Sequence, residues 1–129
     1  RGLQWKERRA TEIAPETLEH PPLPKKDDPA VARGAAIFNE KAHCVRCHRP
    51  PLYTAPGAYD VKLDSGGSPH DGLNPPSLNG VSDRGPYLHD GRAKTLEDVL
   101  RTWHTPRHLG GPALTEDEER DLLAFLRSL

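Results

Sequence analysis

Apolar residues recur at helical spacing in three stretches of the chain, and no stretch alternates between apolar and polar residues as a half-buried strand does. The first stretch begins at Asp28, a favourable N-cap residue, and Pro29 stands at the first helical position. Val31 and Phe38 then fall on one face. This pattern predicts a helix that runs to about Glu40.

Two further helices are predicted toward the end of the chain. Residues 95–98 fit a capping box only loosely, and residues 115–118 fit one well. The apolar stripe after the first box consists of Leu96, Val99, Leu100 and Trp103. The stripe after the second consists of Leu122, Leu123, Phe125, Leu126 and Leu129. The fold class is therefore predicted as all-α, with the second helix ending near His104.

The remaining segments lack a helical period. Residues 49–87 contain many turn pairs and predict a long ordered loop, which in a small domain usually wraps around something or carries function. Residues 1–29 are charged and rich in proline, which predicts an extended arm or linker, or equally a disordered tail. The domain itself is expected at residues 30–129.

The composition indicates that the apolar side chains of the chain are too few to fill a core by themselves. Only 34% of the 129 residues are hydrophobic, whereas proline and glycine number 14 and 11, so the apolar side chains are few for this length. The net charge of −1 gives no attraction toward nucleic acid or an anionic membrane, and no apolar run is long enough to span a bilayer. Because the chain starts at Arg1, we expect a removed secretory leader or an excised domain.

Both cysteines lie in the motif Cys44-Val-Arg-Cys47-His48. Two thiols at this spacing can add to the vinyl groups of haem while the adjacent histidine ligates iron. A zinc site would need further distant ligands, and a thioredoxin-like pair would need alternating strands and helices. One covalently attached haem c is therefore the favoured interpretation, and its macrocycle would complete the thin core.

Three motifs carry a family resemblance: GAAIFNEKAHCVRCHRPPLYT, NPPSLNGVSDRGPYLHDGRAKTLEDVL and LTEDEERDLLAFLRSL. Residues from about 30 to 129 resemble the C-terminal haem domain of the bacterial di-haem cytochrome c peroxidase and MauG family. The resemblance implies a class I cytochrome c fold, with three main helices and long loops around the haem and His48 as the proximal ligand. The chain departs from the family in having one haem motif instead of two.

The second departure concerns the distal ligand. In the family it is usually Met or Tyr, at the position that Trp103 occupies, and this chain contains no Met. The indole nitrogen of Trp103 carries a proton and acts only as a hydrogen-bond donor, which makes it a poor iron ligand. Trp103 is therefore expected to pack against the haem or the last helix. His108 is slightly favoured as the distal iron ligand because its position resembles a histidine of some relatives, and His104 is the close second.

Other side chains are expected around the haem. The resemblance suggests that His89 organises the pocket, and Tyr87 of the same motif is expected beside the haem. Arg84 and Arg92 could pair with the haem propionates, with a solvated surface role as the alternative. His70 is a less favoured ligand candidate.

We expect single-electron transfer by a haem with two axial histidines, at low potential, as a carrier or as an electron-entry domain of a larger redox enzyme. The alternative is a peroxidase-type enzyme with an open or weakly ligated distal site. The expected location is the periplasm or another extracytoplasmic space, where bacteria attach haem covalently. The expected partner is a redox protein or a neighbouring domain.

Overall fold

The computed structural model describes residues 23–63 and 72–129. Helix α1 spans Pro29–Ala36 and continues as a π-helical turn at Ile37–Lys41. Helix α2 spans Leu96–Asp98 and continues as a π-helical turn at Val99–Trp103. Helix α3 spans Glu116–Ser128. Short 3₁₀ turns lie at Cys44–Arg46, Val81–Asp83 and Pro106–Leu109. Within the described residues, β pairing amounts to three isolated bridges, so the all-α prediction is confirmed.

The N-termini of α1 and α3 form as their sequences predict. The backbone N–H of Ala30 donates to Asp28 Oδ1 at 2.9 Å. In α3 the capping box is complete, because Glu118 N donates to Thr115 Oγ1 at 3.2 Å and Thr115 N donates to Glu118 Oε2 at 2.8 Å. These side chains satisfy backbone donors that have no partner inside the helix.

Helix α1 packs against α3, and Gly34 lies at their crossing. A Cβ atom on Gly34 would stand 2.0 Å from the carbonyl oxygen of Asp121 and 2.7 Å from Cβ of Phe125. Arg33 reaches across the crossing to Asp121 with Nε–Oδ2 at 2.7 Å and Nη2–Oδ1 at 3.0 Å. The helices therefore meet backbone to backbone, with a bidentate ion pair beside the contact.

An aromatic cluster extends this crossing toward the loops. The ring centroids of Phe38 and Phe125 are 5.2 Å apart, and Tyr53 meets each of them edge-on at 5.8 and 6.0 Å. Around this cluster lie the buried core side chains Val31, Val81, Leu96, Leu122, Leu123 and Leu126. The core thus joins α1, α2 and α3 to the loop that carries Tyr53.

The Arg33–Asp121 pair predicts an acid-sensitive contribution to stability. Its hydrogen bond holds the pKa of Asp121 below the usual value, so the contribution is present above the unfolded pKa of about 3.9 and is lost as pH falls through the folded pKa. We expect Asp121→Asn to lower Tm by a few degrees at pH 7 and to have little effect near pH 2. Thermal unfolding followed by circular dichroism at both pH values measures this.

Arg120→Gln is the matched control. Its partner Asp117 lies one turn away on the same helix, and both side chains are mostly exposed. We expect a smaller change at either pH. An Asp121→Asn effect as large at pH 2 as at pH 7 would contradict the electrostatic explanation.

Candidate haem-binding site

The two cysteines and His48 are gathered by one tight turn. His43 has left-handed φ (56°) and starts the 3₁₀ turn Cys44–Arg46. The backbone N–H groups of Cys47 and His48 both donate to the carbonyl of Cys44, at 3.2 and 2.9 Å. Both cysteines are free thiols, and they line the same cavity as His48.

A hydrogen bond fixes the orientation of the His48 ring. Its Nδ1 lies 3.0 Å from the carbonyl oxygen of Tyr53. Because a carbonyl only accepts, Nδ1 carries the proton and Nε2 keeps a free lone pair. Burial lowers the pKa of His48, which favours the neutral imidazole that binds metal ions.

The backbone around His48 is tied to the opposite loop. Arg49 and Thr54 exchange two backbone hydrogen bonds of 3.2 Å each. Thr54 Oγ1 donates to the carbonyl of Pro75, and Ser77 Oγ donates to the carbonyl of Leu52, both at 2.5 Å. These bonds hold residues 75–77 as a second wall beside the cysteine turn.

The cavity has a volume of about 710 Å³, within the ~300–1,000 Å³ typical of cofactor and ligand sites. Its walls come from the cysteine turn, residues 73–78, residues 84–89, α2 with its π-helical turn, and α3. The apolar walls include Phe38, Leu73, Leu78, Val81, Leu96, Val99, Leu100, Leu122 and Leu126. Many of these side chains also form the core. A large apolar group held here would be an integral part of the core.

His104 lines this cavity together with His48. It follows the π-helical turn directly, and its backbone N–H donates to the carbonyl of Val99 at 2.7 Å. Burial, then the proximity of His48 and of His108, lowers the pKa of His104 to about 4. The ring is therefore neutral at pH 7 and able to bind a metal ion.

Trp103, His108 and Arg92 are not among the described residues that line the cavity. His108 is exposed in the 3₁₀ turn after His104, where its backbone N–H donates to Thr105 Oγ1 at 3.0 Å. Trp103 is half-buried beneath Arg92, whose Cζ lies 5.0 Å from the centre of the indole ring. The family resemblance favours His108 over His104 as the distal ligand, whereas in the structure His104 lines the cavity and His108 does not.

Three other predicted residues do line the cavity: Arg84, Tyr87 and His89. Arg84 donates to the carbonyl of Ser77, and Tyr87 Oη donates to the carbonyl of Ser82 at 3.2 Å. Burial raises the pKa of Tyr87, so this phenol stays protonated at pH 7. His70 lies outside the described residues, and so does most of the predicted arm.

The donor set fits haem c. The thiols of Cys44 and Cys47 are free to form thioethers, Nε2 of His48 is available for iron, and the walls are largely apolar. Burial raises the pKa of the Cys44 thiol to about 12, so this side chain behaves as a neutral apolar group in the wall. Leu73 and Pro75 also line the cavity, but nothing in a turn-rich stretch of sequence signals which side chains point inward.

Comparison with known proteins agrees with this site. The sequence model of the cytochrome c family matches residues 31–129. The methylamine utilization protein MauG of Methylophilus methylotrophus is 32% identical over 75% of this chain and 36% of its own length. The cytochrome-c peroxidase IdrP1 of Denitromonas iodatirespirans is 28% identical over 75% of this chain and 39% of its own length. The chain thus spans little more than a third of these relatives.

Among solved structures, hydrazine synthase of Kuenenia stuttgartiensis superposes with a TM-score of 0.59 over 84% of this chain and 49% of that chain, at 24% identity. This likeness concerns the fold. No helix in the described ranges is long and apolar enough to cross a membrane. The resemblance drawn from the three motifs is confirmed, and the chain belongs to the cytochrome c family, with MauG and cytochrome-c peroxidases among its relatives.

Proposed function

We propose that this chain transfers single electrons through one haem c whose iron is ligated by His48 and His104. The observation that carries the proposal is the location of both imidazoles on one apolar cavity, each neutral and with a lowered pKa. Haem c supplies a one-electron couple of iron when it is bound. Two imidazole ligands favour the ferric state more than a histidine and methionine pair does, so we expect a low potential.

The chain's own residues hold and orient the group. Cys44 and Cys47 would hold the macrocycle through thioethers, and the hydrogen bond from His48 to the Tyr53 carbonyl orients the His48 ring. Arg84 lines the cavity near Ser77, and its guanidinium would pair with a propionate. If His48 and His104 both bind the iron, the haem would have no free coordination position for peroxide.

The proposal also covers whether the domain acts alone or within a larger protein. Because the chain spans little more than a third of its relatives, an electron-entry domain of a larger redox protein is as suitable a role as a separate carrier. The partner is a redox protein or a neighbouring domain, to which the segment before α1 would tether this domain. Periplasmic location follows from the covalent attachment of haem, which bacteria carry out on that side of the membrane.

His104→Ala tests the proposed ligation, with His108→Ala as the matched control one turn away. We expect wild-type ferric protein to be low-spin in optical and EPR spectra, and His104→Ala to become high-spin, because removing the imidazole opens the sixth position. His108→Ala should stay low-spin. A high-spin conversion in His108→Ala instead of His104→Ala would contradict the assignment.

The second candidate is a peroxidase-type enzyme, and the likeness to cytochrome-c peroxidase IdrP1 favours it. In that case His89, exposed at the cavity edge, would move protons. Stopped-flow mixing of the ferric protein with hydrogen peroxide separates the two functions. A high-spin wild type that reacts rapidly favours the peroxidase, whereas a low-spin wild type that does not react favours electron transfer.

A further inference from the structure

Two walls of the cavity are joined on their outer side by a pair of side chains. The first wall includes Tyr87, Leu88 and His89 and continues as a turn to Ala93, and the second is the π-helical turn Val99–Trp103. The guanidinium of Arg92 lies over the indole of Trp103, with Cζ 5.0 Å from the ring centre. This distance is within the range of cation–π attraction.

Arg92 is itself held in place. Its Nε and Nη2 lie 2.7 and 2.6 Å from Asp90 Oδ2, and its backbone N–H donates to Asp90 Oδ1 at 3.1 Å. The next residue, Ala93, is fully buried and exchanges two backbone hydrogen bonds with Tyr87. Trp103 therefore packs against a guanidinium that is held by the Asp90 carboxylate and by the backbone pairing of the next residue, Ala93.

The π-helical turn decides which side chain enters the cavity. Leu96, Val99 and Leu100 all line it, and an α-helix would bring Trp103 to that face next. The wider turn instead joins His104 to Val99, five residues apart, and His104 takes the inward position. Trp103 is then directed to the outer side, where it meets Arg92.

We propose that Arg92 and Trp103 are positioning residues for the sixth iron ligand: their stack anchors the end of the π-helical turn and keeps His104 directed into the cavity. This inference rests on the proposed ligation by His104. Without the stack, the last residues of the turn lose their tie to the Tyr87–Ala93 wall. His104 then leaves the iron more often.

Carbon monoxide binding to the ferrous, haem-loaded protein measures this departure, because the gas binds only when the sixth position is free. We expect Arg92→Gln and Trp103→Leu to bind carbon monoxide about tenfold faster than wild type in stopped-flow mixing. Trp103→Phe keeps an aromatic face and should stay within about threefold of wild type. The ferric EPR spectra of the two fast variants should also show a high-spin fraction.

Arg101→Gln is the matched control. Arg101 lies in the same π-helical turn and pairs with Glu119 at 2.6 Å, but it has no part in the stack. We expect its rate to equal that of wild type. An equal acceleration in Arg101→Gln, or unchanged rates in Arg92→Gln and Trp103→Leu, would overturn the proposal.

His104→Ala separates this inference from the one on which it rests. If His104→Ala binds carbon monoxide fast while the Arg92 and Trp103 variants behave as wild type, His104 is the ligand and the positioning role is wrong. If His104→Ala is as slow as wild type, the ligation itself is wrong, and the positioning role is overturned with it.

Discussion

Gly34→Ala is expected to destabilise the domain by about 3 kcal/mol or more, and so to lower Tm by roughly 15 °C. The added Cβ would stand 2.0 Å from the carbonyl oxygen of Asp121 and 2.7 Å from its carbonyl carbon. These are backbone atoms of α3 and cannot rotate away as the end of a flexible side chain can. The two helices must separate, which loosens the contact of Phe38 with Phe125.

Helix propensity alone predicts that Gly34→Ala stabilises the protein. The direction of the measured change in stability therefore shows whether the close contact with α3 or the helix propensity dominates. Alanine is better than glycine inside a helix by about 1 kcal/mol, so Gly34→Ala would stabilise α1 if no neighbour were close. Ala32→Gly, at an exposed position of the same helix, is the matched control and should cost only about 1 kcal/mol. Thermal unfolding of both variants checks this, and a stabilised Gly34→Ala would show that the crossing is not tight.

Gly34→Ala should also disturb the residues that support the haem site. Phe38 and Phe125 both contact Tyr53, whose carbonyl orients His48. If the crossing of α1 and α3 opens, the support of His48, the proposed proximal ligand, becomes weaker. We expect the Gly34→Ala protein to lose its native haem spectrum at a lower temperature than wild type, in parallel with its loss of helix.

The N-termini of α1 and α3 and the turn that holds the two cysteines could be predicted because each depends on a few neighbouring residues. Asp28 and Thr115 cap their helices with their own side chains, and Cys44, Cys47 and His48 meet within a single turn. Such features are local, so their spacing in the sequence is nearly their arrangement in space.

The side chain that α2 and its π-helical turn bring to the cavity could not be predicted in the same way. Helical spacing of 3.6 residues placed Trp103 on the inner stripe, and the π-helical turn moves that position to His104. The sequence offers no separate signal for this widened turn. Likewise, Thr54 and Ser77 tie the loops together through hydrogen bonds to Pro75 and Leu52 that span more than 20 residues.

Preparing the chain without haem is expected to abolish its cooperative fold. An enclosed cavity left unfilled costs ~24 cal/mol per Å³, so about 17 kcal/mol is an upper bound for this cavity of about 710 Å³, which is open on one side. The total stability of a domain is only about 5–15 kcal/mol. Water can enter from the open side and lower this cost, but it would then contact apolar walls that belong to the core, such as Phe38, Leu122 and Leu126.

The measurement compares wild-type holoprotein with the Cys44→Ala/Cys47→Ala double variant, which cannot attach haem covalently, produced without haem. We expect the variant to show reduced helix in far-UV circular dichroism, no near-UV signal from its aromatic cluster and no cooperative thermal transition. Haemin added to the variant should restore part of the helix, because His48 remains available as a ligand. A sharp, holoprotein-like transition without haem would mean that the contact between α1 and α3 sustains the fold alone. The cavity would then be a site that the haem enters, and the core would be complete without it.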